Sequence, residues 1–190
     1  MKALLDVTVR SFHYRQSLDA CVSAIARLDS YEKSPTTRKD TPIKVRQDLL
    51  ATADVITLAL HLRRFAEITR STGLLKSTQL AAHVLESRGG RADPGVTNVS
   101  LDKVVGQIIH SNTCVVCRNG VHLCLHFDVR SIPSALVEGE FATKAVLIVE
   151  SDRPKRFFFL QEFLESSWSL INAFAEKNKD VKAYIEKRSF

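Results

Sequence analysis

The stretch ADVITLALHLRRF, residues 53–65, decides the fold because it is apolar on almost every side of a helix. A surface helix needs only one apolar stripe, so a helix of this composition is expected to be covered on several sides. A polar loop, SPTTRKDTP (34–42), precedes it, and Pro42 suits a first helical turn because that turn does not use the missing N–H. The pattern predicts a long central helix from Pro42 to about Arg70, ended by Gly73.

Shorter helices are predicted on both sides of this central one. Apolar residues at three- and four-residue spacing predict a core helix over about 16–31. Residues 2–12 fit either a strand or a continuation of that helix, and we favour the helix. The segment LKSTQLAAHVLES (75–87) is predicted to form a short helix, which the Gly- and Pro-rich loop RGGRADPG (88–95) ends.

The sequence period changes after SLDKVVGQIIH (100–110), a predicted helix for which Ser100 is the expected N-cap. From residue 113 onward apolar and polar residues alternate, which is typical of strands. An Asn-Gly pair supplies one two-residue turn, and KAVLIVE and KRFFFL are joined by SDRP. The region 113–160 therefore predicts two hairpins of one small antiparallel sheet.

Together these elements predict a single α+β domain over residues 1–190 that is mainly α. Its parts are a helical bundle over about 1–112, a β-hairpin part over about 113–160 and a closing C-terminal helix over about 161–188. The chain is 45% hydrophobic and 25% charged, the composition of a globular protein that can bury a core without disulfides or metal. Its first residues carry charges where a signal peptide needs an apolar run, and the longest apolar stretch is interrupted. We therefore expect a cytoplasmic location and no membrane partner.

The chain has 27 Lys and Arg against 21 Asp and Glu, a formal charge of +6, and a pI near 9.3. An excess of positive charge favours contact with RNA or another acidic surface. The basic residues are nevertheless scattered, so a solvated basic surface is the preferred interpretation and an RNA footprint the alternative. Within the scatter, the adjacent Arg63 and Arg64 are the candidate binding residues.

The stretch CVVCRNGVHLCLH (114–126) concentrates cysteine and histidine, the common ligands of zinc. A type I′ turn at the Asn-Gly pair would place Cys114 on one face of the hairpin and four ligand-type side chains on the other: Cys117, His122, Cys124 and His126. A regular strand separates Cys124 from His126 by about 7 Å, which strains a tetrahedral site. A sheet face with incidental thiols and no metal is therefore preferred, and a zinc site is the alternative.

The helix predicted over 100–110 has a second face, opposite its apolar stripe, formed by Lys103, Gly106 and His110. A mid-helix glycine costs about 1 kcal/mol relative to alanine unless it lets another backbone approach. We therefore consider a contact between two copies of the chain, which predicts a homodimer with Gly106 among its binding residues. A solvent-facing surface with a tolerated glycine is the alternative.

A second polar group lies on the central helix, where Asp54, His61 and Arg64 share a face. A carboxylate that orients a histidine is a general-base arrangement, but a structural hydrogen-bond network is the preferred interpretation. The chain contains no glycine-rich phosphate loop, no His-Glu-x-x-His and no Gly-x-Ser-x-Gly. These absences favour a protein that is not an enzyme and needs no cofactor.

The runs VSLDKVVGQIIHSNT and KRFFFLQEFLESSWSLI, with the strands between them, resemble a group of small bacterial proteins that is similar to the HEPN superfamily of helical bundles. Many members of that superfamily are metal-independent ribonucleases of toxin and phage-defence systems. The resemblance covers roughly residues 42–175 and implies a dimer in which a histidine, here His110, cuts RNA at the subunit boundary. The chain has no Arg or Asn at the spacing of the HEPN motif upstream of His110, and only Lys103 could replace it.

Three functions follow from these observations. The first is a non-catalytic or degenerate HEPN-like binding protein that contacts RNA or a partner protein, in a defence or mobile-element setting. The second is a metal-independent ribonuclease toxin with His110 and Lys103 as catalytic residues. The third is a zinc-stabilised binding module built on the cysteine-rich hairpin.

Overall fold

The computed structural model describes residues 2–34, 42–88, 91–118, 144–150 and 156–187. In these ranges the chain forms six helices: α1 (Lys2–Lys33), α2 (Pro42–Ile68), α3 (Thr72–Ser77), α4 (Leu101–His110), α5 (Leu160–Glu176) and α6 (Lys179–Glu186). It also forms five strands: β1 (Gln79–Arg88), β2 (Arg91–Ser100), β3 (Thr113–Arg118), β4 (Ala145–Glu150) and β5 (Arg156–Phe159). The predicted α+β class, mainly α, is confirmed.

Helix α2 lies at the centre of the core, as its composition predicts. The side chains that it buries completely are Val55, Leu58, Ala59, Leu62, Phe65 and Ala66. The helix packs mainly against α1, β3 and α4, so helices and a strand cover it on several sides. Full burial of a leucine or phenylalanine side chain contributes roughly 1.5–3 kcal/mol to stability, which makes this helix a principal source of folding free energy.

The end of α2 differs from the prediction. The helix ends at Ile68, and Gly73 lies inside α3. The chain turns at Arg70, whose φ of 56° is in the left-handed region, while Ser71 N–H donates to the carbonyl of Ala66. This is the hydrogen-bond pattern of a Schellman cap with arginine where glycine is usual, so a sequence search for glycine locates the helix end too late.

The prediction of a helix over residues 75–87 was wrong. Only the start of this segment belongs to a helix, α3, and the remainder forms β1, which pairs antiparallel with both β2 and β5. The Gly- and Pro-rich segment predicted as a loop largely forms β2. Strand β2 tolerates Pro94 because it is the outermost described strand on its side of the sheet, where a missing N–H does not break an inner ladder.

The five described strands form one antiparallel sheet in the order β2-β1-β5-β4-β3. The predicted pairing of the two strands around SDRP is confirmed, because β4 pairs with β5. Strand β3 pairs with β4, with Cys114 opposite Val149 and Cys117 opposite Val146. The second strand of the predicted cysteine hairpin lies outside the described residues. The sheet is thus larger than the two hairpins predicted over 113–160, because β1 and β2 come from the part predicted to be helical.

Helix α2 also bonds to β3, which is the outermost described strand on its side of the sheet. The Val116 N–H donates to the hydroxyl of Thr52 on α2 at 2.9 Å, and that hydroxyl donates in turn to the carbonyl of Asp48. Val116 is fully buried, so its N–H could not find water if the hydroxyl were absent. An unpaired strand edge invites pairing with another chain, and the helix removes part of that liability here.

A buried arginine connects the C-terminal end of β3 to α1. Arg118 is 6% exposed, its guanidinium lies over the ring of Tyr31 at 4.4 Å, and it donates to the carbonyl of Ser34. The Tyr31 hydroxyl donates to Asp48 at 2.6 Å, and Glu32 accepts from the Ala145 N–H at 3.3 Å. Burial raises the pKa of Glu32. These contacts join the sheet to the C-terminal end of α1 through polar groups.

The single closing helix predicted over 161–188 is two helices. Helix α5 ends at Glu176, and the side chain of Asn178 caps the start of α6 by accepting from the Val181 N–H. At the start of α4, the predicted cap Ser100 accepts from the Lys103 N–H as expected. No helix in the described ranges has both the length and the apolar composition needed to cross a membrane.

Replacing Thr52 with valine keeps the side-chain shape but removes the acceptor for the buried Val116 N–H. We expect the free energy of unfolding to fall by about 1–3 kcal/mol, the cost of an unsatisfied buried donor, measured by urea denaturation. Thr57→Val is the matched control, because the Thr57 hydroxyl donates only to the Ala53 carbonyl of its own helix, and we expect a change within about 0.5 kcal/mol. Equal losses in both variants would contradict the role of Thr52 at the strand edge.

Candidate functional site

A cavity of about 540 Å³ opens between α2 and α4. Its lining residues are Leu60, His61, Arg63, Arg64, Glu67, Ile109 and His110. Three of them, Arg63, Arg64 and His110, are candidate site residues from the sequence, and the structure brings them together although two separate helices supply them. We call this cavity the α2/α4 groove.

The two helices present these side chains because their apolar stripes face the core. On α2, Leu62 and Phe65 point inward, so the intervening Arg63 and Arg64 are exposed. On α4, Val105 and Ile108 are buried, and His110 at the last position is exposed. The helical period therefore gives each helix a polar outer face, and the packing of α2 on α4 makes those faces neighbours.

The two arginines have different partners. Arg63 Nε donates to Glu67 Oε1 at 3.1 Å, so a carboxylate balances part of its charge. Arg64 Nη2 lies 3.3 Å from Nδ1 of His13 on α1. A guanidinium has only donors, so Nδ1 is the acceptor of this hydrogen bond. Because its partner is not a carboxylate, Arg64 is the better placed of the two to hold an anionic ligand.

The surroundings of His61 favour its neutral form. Burial, and then the nearby Arg64 cation, lower its pKa below the ordinary histidine value. Its Nδ1 atom is buried and has no hydrogen-bond partner in the described part of the chain, so Nε2 is the nitrogen left for a ligand. A neutral imidazole beside an arginine can accept a proton or a hydrogen bond near neutral pH.

The predicted Asp54–His61 network is not formed. Asp54 instead accepts hydrogen bonds from Nε and Nη2 of Arg27 on α1, at 3.0 and 2.7 Å. The prediction was wrong because a single-helix projection shows which side chains share a face but not which neighbouring helix competes for them. His61 contributes to the α2/α4 groove without a carboxylate to orient it.

Gly106 and Lys103 lie on α4 beside this groove. A Cβ atom built on Gly106 would have one close neighbour, Nη1 of Arg63 at 3.9 Å, which is an ordinary van der Waals distance. No close backbone approach among the described residues therefore requires glycine here. Lys103 is exposed and is not among the residues that line the groove, so His61 rather than Lys103 accompanies His110 in it.

The two cysteines of β3 do not line the groove. On β3, Cys114 packs with Val116 toward the helical core, and alternation along the strand turns Cys117 to the opposite sheet face. Burial raises the pKa of the Cys114 thiol to about 12, so it is protonated and a poor metal ligand at neutral pH. No cluster of three or more His, Cys, Asp or Glu suited to a metal occurs in the described ranges. The other predicted ligands, His122, Cys124 and His126, lie outside those ranges.

A second cavity, of about 310 Å³, lies between α1 and α5. It is lined by Val22, Ile25, Ala26, Asp29, Leu164, Glu165 and Trp168. Its only charged lining residues are carboxylates, in contrast to the arginines of the α2/α4 groove. The two cavities therefore suit ligands of different charge.

Two histidines near His110 were not predicted to belong to its site. The sequence predicted His61 only as a partner of Asp54, and it gave no role to His13 on α1, which contacts the groove residue Arg64. Neither belongs to a local motif with His110, since three different helices supply the three histidines. Comparisons with protein families, curated proteins and solved structures find no match for this chain.

The lowered pKa of His61 has a consequence for stability. As pH falls, the unfolded chain takes up the His61 proton first, so the folded state loses stability below about pH 6.5. We expect His61→Gln to lose less stability than the wild type between about pH 7.5 and about pH 5.5, as urea denaturation midpoints would show. All other titrating groups are the same in both proteins, so equal losses would contradict the assignment to His61.

Proposed function

We propose that the protein binds RNA without sequence specificity, through the phosphate backbone, at the α2/α4 groove. The observation that carries the proposal is the lining of one groove by two arginines and two histidines. Guanidinium groups suit phosphate because their planar donors match its oxygens, and histidines can add further donors. The carboxylate in the groove, Glu67, bonds to Arg63 and leaves Arg64 available.

The size and charge of the site support a polyanion over a small acid. The volume of about 540 Å³ lies within the range of nucleotide-sized ligands. The remainder of the chain adds a scattered positive charge, formally +6 in total, which would attract a long phosphate backbone beyond the groove. This attraction is electrostatic, so affinity should fall as salt rises.

Arg64→Gln removes one groove cation while keeping a polar side chain. We expect it to weaken binding of a single-stranded RNA oligonucleotide about tenfold, because a charge-assisted hydrogen bond to phosphate is lost. We also expect the slope of log affinity against log salt to fall by about 0.7, measured by fluorescence anisotropy.

Arg46→Gln is the matched control. It removes the same charge from an exposed position near the opposite end of α2. We expect only a small loss of RNA affinity from this variant. Equal weakening by both variants would mean that diffuse surface charge binds the RNA, and it would overturn the assignment to the groove.

The two histidines favour a second candidate function, metal-independent cleavage of the bound RNA. A neutral His61 would take the proton from the 2′-hydroxyl, whose oxygen attacks phosphorus while the bond to the 5′ oxygen breaks. A protonated His110 would give that leaving oxygen its proton, and Arg64 would stabilise the charge on the phosphorane. The products are a 2′,3′-cyclic phosphate and a 5′-hydroxyl end. Both histidines belong to one chain, so this chemistry does not need a second copy.

For this second candidate, we expect wild-type protein to cleave RNA in the presence of a chelator. His110→Ala should lower the rate by roughly a hundredfold or more, the usual contribution of a positioned acid. Gel analysis of end-labelled RNA, with detection of cyclic phosphate ends, measures both. Arg46→Gln is the control that should cleave normally. RNA that is bound at the groove but stays intact across a broad pH range would leave binding as the function.

A further inference from the structure

The ring of Phe12 is exposed on α1, one residue before the histidine that contacts Arg64 of the α2/α4 groove. Its side chain on α1 is 66% exposed, and its ring contacts that of the neighbouring His13 edge to face, with centroids 5.9 Å apart. His13 accepts the hydrogen bond from Arg64, which lines the groove. One ring contact and one hydrogen bond therefore connect an exposed aromatic face to the proposed phosphate site.

The exposure of Phe12 distinguishes it from the aromatic side chains of the core. Six large apolar side chains are exposed among the described residues: Phe12, Val45, Leu49, Leu50, Leu60 and Val96. Phe12 is the only aromatic residue of this set, and it is connected to the groove through His13 and Arg64. Isolated exposed apolar residues are normal, but a flat π-face beside a cationic phosphate site is the combination that single-stranded RNA binders use.

We propose that Phe12 is the stacking platform for a base of single-stranded RNA whose adjacent phosphate lies against Arg64, an inference that rests on the proposed function. The contact with His13 limits the orientations of the Phe12 ring, so the stacking face is partly preorganised. Duplex RNA keeps its bases stacked inside the helix and cannot offer a face to Phe12. The protein thus favours single strands, and stacking adds a modest preference for oligoadenylate over oligouridylate to the sequence-independent phosphate contacts, because purines stack more strongly.

The test compares Phe12→Leu, which keeps an apolar side chain but loses the π-face, with Phe12→Trp, which keeps stacking. Fluorescence anisotropy is measured with labelled oligoadenylate, oligouridylate and an RNA duplex of about 12 nucleotides each. We expect Phe12→Leu to weaken oligoadenylate binding roughly fivefold to a hundredfold and to abolish the preference over oligouridylate. Duplex binding should stay unchanged, and Phe12→Trp should retain the oligoadenylate affinity.

Leu49→Ala is the control for loss of an exposed apolar side chain, since Leu49 is also 66% exposed but lies toward the other end of α2. It should bind all three RNAs as the wild type does. If Arg64→Gln weakens binding and Phe12→Leu does not, the stacking proposal is overturned and the phosphate site stands. If wild-type protein binds none of the three RNAs, both proposals fail. Circular dichroism confirms that each variant is folded.

Discussion

The burial of α2 on several sides is the constraint on which the rest of the structure depends. A helix that is apolar almost all round cannot be stable at the surface, so α1, α4 and the edge of β3 must cover it. Covering a strand edge with a helix raises a further requirement, because the helix has no free backbone donors or acceptors along its length. The side chain of Thr52 on α2 supplies the missing acceptor, because its hydroxyl accepts the hydrogen bond from the Val116 N–H. This hydrogen bond joins the central helix to the sheet.

The proposed site is a consequence of the same packing. Arg63 and Arg64 occupy outward positions of α2 between the buried Leu62 and Phe65. The backbone that carries the two arginines is therefore held by the core. His61 lies deeper than the arginines, and this partial burial, followed by the nearby Arg64 cation, lowers its pKa and favours the neutral ring. A neutral imidazole and exposed guanidinium groups in one groove suit a phosphate ester.

A sequence prediction was right where local spacing decides the element, and wrong where contacts distant in sequence decide it. Helices α1, α2 and α4 were predicted because their stripes repeat locally and Ser100 caps the last of them. Residues 75–87 were mistaken for a helix because a short apolar and polar mixture fits both periods. Their conformation is decided by β2 on one side and β5 on the other, and β5 is distant in sequence. The chemistry of their side chains made candidates of Arg63, Arg64 and His110. No local sequence pattern indicated that they line one groove with His61.

The sequence by itself determined the apolar central helix, the helices predicted over about 16–31 and over 100–110, and the strand period that follows residue 113. These features are properties of single segments, since side-chain spacing decides which face of a helix or strand is apolar. Only the tertiary structure decided the five-stranded order, the pairing of Asp54 with Arg27, and the meeting of α2 with α4 that forms the groove. Each of these depends on which distant segments compete for the same surface, and that competition is resolved by packing rather than by any local pattern.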